Sequence, residues 1–106
     1  MILVRFVFQV RWGRVQEVVN QTDRMASIMR RIYGPKARAR ILTDLSGPFN
    51  TVVQEVEVES LAEWEQIRAR LFTDPEFQEF QASRDLPYVA GRTEFYTIER
   101  TYEPEE

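Results

Sequence analysis

The first apolar run of the chain, residues 2–11, alternates in hydrophobicity with a period of two. One face carries only apolar side chains, while the other mixes apolar side chains with arginine and glutamine. This pattern predicts a β-strand with one buried face, because successive side chains of a strand point to opposite sides of its sheet. The predicted buried face consists of Ile2, Val4, Phe6, Phe8 and Val10.

From Gly13 the apolar positions recur at steps of three and four residues, which is typical of an amphipathic helix of about five turns. Gly34 and Pro35 end this helix, because proline cannot continue it and glycine suits the cap that follows. The apolar stripe of the helix includes Val15, Val18, Val19, Met25, Met29 and Ile32.

Two further strands are predicted at residues 37–46 and 51–59. A four-residue loop at 47–50 sets Arg40 opposite Glu57. In this register apolar side chains of the two strands meet on one face, and arginines meet glutamates on the other. The other predicted pairs on the charged face are Arg38–Glu59 and Leu42–Glu55.

A second helix is predicted to begin at Ser60, because serine followed three residues later by Glu63 forms a capping box. The helix restarts at Asp74 and Pro75, which suit an N-cap and a first-turn proline. A last strand is predicted at residues 93–102. Aromatic side chains occur on both of its faces, so the sequence does not indicate which face is buried.

The predicted order of elements is therefore βαββαβ within 106 residues. This order predicts an α+β, ferredoxin-like fold with a four-stranded antiparallel sheet and two helices on one face. We expect a single domain at residues 1–102 and a frayed acidic tail at residues 103–106.

Composition excludes several kinds of chemistry. The chain has no cysteine and no histidine, so thiol nucleophiles, thiolate or imidazole metal sites and a histidine general base are ruled out. Glu76 and Glu79 share a helix face, but two carboxylates at this spacing are usually solvated. We expect no metal and no cofactor.

Nucleic acid and membrane are also unexpected partners. RNA-binding modules of the same element order stack bases on aromatic side chains of the third strand, and residues 51–59 are acidic and contain no aromatic. No apolar stretch approaches the roughly 20 residues of a membrane span. The start of the chain lacks the features of a signal peptide, so the expected location is the cytoplasm.

The chain resembles the dimeric α/β-barrel superfamily, which includes NIPSNAP-like proteins, antibiotic-biosynthesis-type monooxygenases and stress-responsive A/B-barrel proteins. Three features carry the resemblance: the passage from strand to helix at residues 10–14, the capped helix with Trp64, and the Asp-Pro-Glu-Phe restart at residues 74–77. The resemblance implies a homodimer whose two sheets face each other as a barrel, with the helices outside.

Eight aromatic side chains are candidates for the wall of a pocket between sheet and helices, although they also suit an ordinary packed core. Asp85 and Tyr88 are candidates for its rim, with turn formation and surface packing as the alternative roles. The pocket candidates are Phe6, Phe8, Trp12, Trp64, Phe72, Phe77, Phe80 and Tyr88.

The second face of the sheet is the predicted dimer interface. Apolar side chains on its strands would otherwise be exposed to water, and the charges around them nearly balance. The interface candidates are Leu3, Arg5, Val7, Arg38, Arg40, Leu42, Val53, Glu55 and Glu57.

Three functions remain open at this point. The first is a homodimeric barrel protein that binds a small apolar or aromatic molecule. The second is a cofactor-free monooxygenase whose pocket positions an electron-rich aromatic substrate. The third is a structural or regulatory dimerisation module, which predicts a filled core in place of a cavity.

Overall fold

The computed structural model describes residues 1–82 and 85–105, and its element order confirms the predicted βαββαβ pattern. The second helix is divided in two at the predicted restart. In chain order the elements are β1 (Ile2–Val10), α1 (Val15–Tyr33), β2 (Arg38–Thr43), β3 (Thr51–Val58), α2 (Leu61–Thr73), α3 (Pro75–Gln81) and β4 (Tyr88–Thr97).

The four strands form one antiparallel sheet in the order β2-β3-β1-β4. The helices pack on the face of β1 that carries Val4, as its alternation predicts. Burial of apolar side chains between sheet and helices supplies most of the stabilisation of such a fold. The main buried cluster consists of Val4, Ile28, Ile32, Val56, Val58, Trp64, Ile67, Leu71 and Phe77.

The predicted helix caps are present. The Glu63 amide donates to Ser60 Oγ at 3.1 Å, and Glu63 Oε2 accepts from the backbone amide of Glu59 at 3.0 Å. Asp74 Oδ2 accepts from the amide of Phe77 at 3.0 Å and from Arg31 Nη2 of α1 at 3.1 Å. The caps fix where α2 and α3 begin, so they fix which side chains face the sheet.

The predicted register of β2 against β3 is wrong by two residues. Arg40 lies opposite Glu55, and Glu57 lies opposite Arg38. The reason is a longer loop, because Asp44 already leaves the strand and its Oδ1 accepts from the amide of Thr51 at 2.9 Å. A shift of two keeps every side chain on its predicted face. The pairs Arg38–Glu59 and Leu42–Glu55 are likewise replaced by Arg38–Glu57 and Leu42–Val53.

The last strand begins earlier and ends earlier than predicted, at Tyr88 and Thr97. Residues 88–92 precede the predicted start, but pairing with β1 includes them in the strand, with an irregularity between Gln9 and Val10. Phe95 lies opposite Val4 and therefore on the helix side of the sheet. Residues 98–105 lie in no helix or strand.

Candidate functional site

A cavity of about 890 Å³ lies between the sheet and the helices, partly open to solvent. All seven elements contribute side chains to its wall, so it exists only in the assembled fold. Its volume falls in the range of small-molecule sites, roughly 300–1,000 Å³. The core is therefore not filled.

Aromatic rings form a continuous part of the wall. The ring centre of Phe6 lies 5.6 Å from that of Trp64 and 6.5 Å from that of Phe8. The Phe8 ring in turn lies 4.8 Å from the ring of Tyr88. Rings at these separations attract one another beyond the burial of their area. The wall therefore presents an apolar, ordered surface running along β1.

A second aromatic group lines the cavity from the helices. Phe72 and Phe77 meet edge to face at 5.8 Å, and Phe80 completes the group on α3. Seven of the eight pocket candidates thus lie in the wall. Trp12 does not, because it packs on the surface against Phe49 with 77% of its area exposed.

The two rim candidates, Asp85 and Tyr88, both line the cavity. Arg14 binds both Asp85 Oδ1, at 2.9 Å, and Glu17 Oε2, at 2.7 Å. Burial, with a smaller contribution from the charge of Glu17, raises the pKa of Tyr88. The Tyr88 hydroxyl therefore stays protonated at neutral pH and can donate or accept a hydrogen bond.

Several polar side chains of the wall were not predicted from the sequence. Gln54 lies on the helix side of β3, and Gln21 and Gln81 line the cavity from α1 and α3. Gln54 could have been found from the sequence, because it is the one polar residue on an otherwise apolar face of β3. Amides at these positions can orient a polar group of a bound molecule.

The opposite face of the sheet carries a ladder of alternating charges across all four strands. Glu55 accepts from Arg5 Nε at 2.8 Å and from Arg40 Nε at 2.5 Å. Arg5 Nη1 also donates to Glu94 Oε1 at 2.9 Å, and Arg92 donates to Glu94 Oε2 at 2.8 Å. Only 5% of the Glu55 side chain is exposed. We call these five residues the charge ladder.

The apolar part of this face differs from the prediction. Val7 and Val53 are each only 8% exposed within one chain, so they do not form an exposed patch. Their burial follows from the strand register, which places long side chains of the charge ladder beside them on the same face. Leu42 and Tyr96 remain 37% and 48% exposed and form the apolar margins of the face.

Two other features bear on function. Among residues 1–82 and 85–105, no group of three or more Asp or Glu side chains is arranged to hold a metal ion. None of the described helices is long and apolar enough to cross a membrane.

No protein-family model matches the chain, and no curated protein matches it at a significant level. Solved structures do match. An uncharacterised NIPSNAP domain protein from Burkholderia xenovorans is 25% identical, with a TM-score of 0.79 over 99% of this chain and 100% of that one.

Two further structures extend the likeness. A NIPSNAP family protein of unknown function from Agrobacterium tumefaciens has a TM-score of 0.77 and 16% identity over 91% of this chain and 86% of that one. SnoaB, a cofactor-independent oxygenase from Streptomyces nogalater, has a TM-score of 0.69 and 17% identity over 94% of each chain. The predicted resemblance is confirmed at the level of the fold: the chain has the ferredoxin-like α+β architecture of NIPSNAP-domain proteins and of antibiotic-biosynthesis-type monooxygenases.

Proposed function

We propose that this chain is a homodimeric α/β-barrel protein of the cytoplasm that holds a small apolar or aromatic molecule between sheet and helices. The observation that carries the proposal is the cavity of about 890 Å³ with its aromatic wall. A module that served only for dimerisation would gain stability by filling this space, because interiors are otherwise close-packed. A chain without cysteine has no disulfide to lose, so it is compatible with the reducing cytoplasm.

Binding of N-phenyl-1-naphthylamine, an uncharged fluorescent probe, tests this proposal. We expect a saturable rise in fluorescence that is lost in Ala26→Trp, because Ala26 lines the cavity from α1 and an indole there occupies its space. Ala69→Trp is the matched control, since Ala69 is exposed on α2 away from the described wall. No saturable binding, or equal binding by both variants, would refute the proposal.

The proposed homodimer forms through the charge-ladder face. In one chain none of the described helices covers this face, and its margins, Leu42 and Tyr96, are exposed. The ladder pairs most of its charges internally, so a second sheet can cover it without burying a large net charge. A two-fold arrangement, in which the same face meets itself, is the commonest closure of an oligomer.

Sedimentation velocity at micromolar concentration tests the dimer. We expect wild type to sediment as a dimer and Leu42→Glu as a monomer, because the new carboxylate lies at the exposed margin of the face. Leu61→Glu is the control, since Leu61 is exposed at the start of α2, on the helix side of the sheet. A monomeric wild type, or a dimer unaffected by Leu42→Glu, would contradict the proposed interface.

A second candidate function is a cofactor-free monooxygenase, favoured by the likeness to a cofactor-independent oxygenase. In this reaction the electron-rich substrate supplies all four electrons that O₂ accepts, two in its hydroxylation and two in the oxidation of the hydroxylated ring to a quinone. One atom of O₂ enters its ring, the other leaves as water, and a quinone forms. The aromatic wall would position the ring, and the Tyr88 hydroxyl at the rim would hydrogen-bond a phenolic oxygen.

The test uses 1,5-dihydroxynaphthalene under ¹⁸O₂, with mass spectrometry of the product. An oxygenase is expected to form the hydroxynaphthoquinone with one ¹⁸O atom, faster than the uncatalysed reaction. Ala26→Trp should abolish the excess rate, and Ala69→Trp should retain it. A rate equal to that without protein would remove this candidate and leave the binding proposal intact.

A further inference from the structure

The charges in the cavity wall do not balance once the ion pairs within the chain are taken into account. Four arginines and three carboxylates line the cavity. Glu17 and Asp85 both pair with Arg14, and Glu55 pairs with Arg5 and Arg40 of the charge ladder. Every described carboxylate of the wall therefore has an arginine partner, although Glu17 and Asp85 share the single charge of Arg14 and keep one net negative charge beside it.

Two arginines of the wall are left over. Within residues 1–82 and 85–105, neither Arg30 nor Arg68 has a carboxylate oxygen within 4.0 Å, whereas Arg38 pairs with Glu57 at 3.3 Å. Arg30 lies in the last turn of α1, where the helix carbonyls compensate a cation. Arg68 lies before the last turn of α2, so this compensation is weaker for its charge.

Arg68 is also held beside the aromatic wall. Its guanidinium carbon lies 4.7 Å from the ring centre of Phe72, and Phe72 meets Phe77 edge to face inside the cavity. A guanidinium stacked on a ring keeps its N–H edge free, because the cation–π contact uses only its face. Arg68 therefore presents unused donors directly above an apolar surface.

We propose that the molecule held in this cavity carries one acidic group, a carboxylate, sulfonate or phosphate, which pairs with Arg68 while its apolar body lies against Phe72 and Phe77. This inference rests on the proposed binding function and names the class of ligand that the cavity takes. All three acid groups offer adjacent oxygen acceptors that match the two-pronged donor edge of a guanidinium.

The test compares two probes with the same ring skeleton. N-Phenyl-1-naphthylamine is uncharged, and 8-anilinonaphthalene-1-sulfonate differs from it by one sulfonate. We expect the sulfonate to bind wild type more tightly, and Arg68→Gln to weaken the sulfonate by about fivefold, the value of an ion pair near the surface. The affinity of the uncharged probe should change less than twofold.

Two variants serve as controls, with circular dichroism to confirm that each is folded. Arg70→Gln removes the same charge from α2 at a position outside the described wall, so the affinity for the sulfonate should stay within twofold of wild type. Arg30→Gln should likewise have little effect. If Arg68→Gln and Arg70→Gln lose affinity for the sulfonate equally, the effect comes from the net charge of the protein and the inference is wrong.

The remaining outcomes separate this inference from the proposal on which it rests. If the uncharged probe binds and the sulfonate gains nothing, the cavity is a binding site but the acid-group inference is wrong. If Arg30→Gln weakens the sulfonate and Arg68→Gln does not, the assignment to Arg68 is wrong. If neither probe binds, the proposed function itself fails.

Discussion

Removal of the Glu55 charge is the sharpest perturbation of the sheet. Glu55→Gln keeps the shape of the side chain but leaves Arg40 without its partner and Arg5 with only Glu94. Breaking a buried ion pair costs roughly 3–5 kcal/mol when the remaining charge stays buried. Here the arginine side chains are 28% and 70% exposed and can be hydrated, so we expect a loss of about 2 kcal/mol.

Urea unfolding followed by circular dichroism measures this loss, and thermal unfolding checks it. For a domain of this size, about 2 kcal/mol corresponds to a fall in Tm of roughly 8 °C. The slope of the urea transition should not change, because the surface exposed on unfolding stays the same.

Double-mutant cycles turn the same variants into a test of register. We expect a coupling of about 0.5–1 kcal/mol between Arg40→Gln and Glu55→Gln, because Arg40 is largely exposed. The matched cycle between Arg40→Gln and Glu57→Gln should show less coupling than that, since Arg38 is the partner of Glu57. Coupling of Arg40 to Glu57 without coupling to Glu55 would support the register predicted with a four-residue loop and refute the observed one.

Three further predictions concern stability. Arg31, with smaller contributions from the α3 amides, lowers the pKa of Asp74 to about 2. The pKa of this carboxyl in the unfolded chain is higher, near 3.8, so the stabilisation is complete above about pH 4 and is lost as the pH falls to about 2. The difference in Tm between wild type and Asp74→Asn should therefore disappear over that interval. A difference that is constant with pH would contradict this prediction. Gly91→Val should cost about 1–3 kcal/mol in urea unfolding, because a Cβ there meets the ring of Phe8 at 3.1 Å, whereas Ala90→Val on the opposite face should cost little. Ser60→Ala should cost about 1 kcal/mol through loss of the α2 cap, and a neutral effect on the urea midpoint would show that the cap is dispensable.

The sequence by itself determined those features that depend on a few neighbouring residues. Alternation in residues 2–11 is a property of the strand backbone, so the face of β1 that meets the helices follows from it directly. The caps at Ser60 and Asp74 work through hydrogen bonds over three residues, and the structure contains both. Aromatic residues on the inward faces of β1, α2 and α3 led to six of the wall residues of the cavity, and Tyr88 at the start of β4 is the seventh.

Only the tertiary structure decided the features that depend on contacts between residues far apart in the sequence. Alternation fixes the side of the sheet for Arg40 but not its partner, because a shift of two residues leaves the alternation unchanged. The start and buried face of β4 depend on its hydrogen bonds to β1, since aromatic residues on both of its faces make the pattern ambiguous. The cavity arises only where seven elements meet, and the absence of a carboxylate partner for Arg68 among the described residues also depends on how these elements pack. The space left between elements has no counterpart in any local sequence pattern.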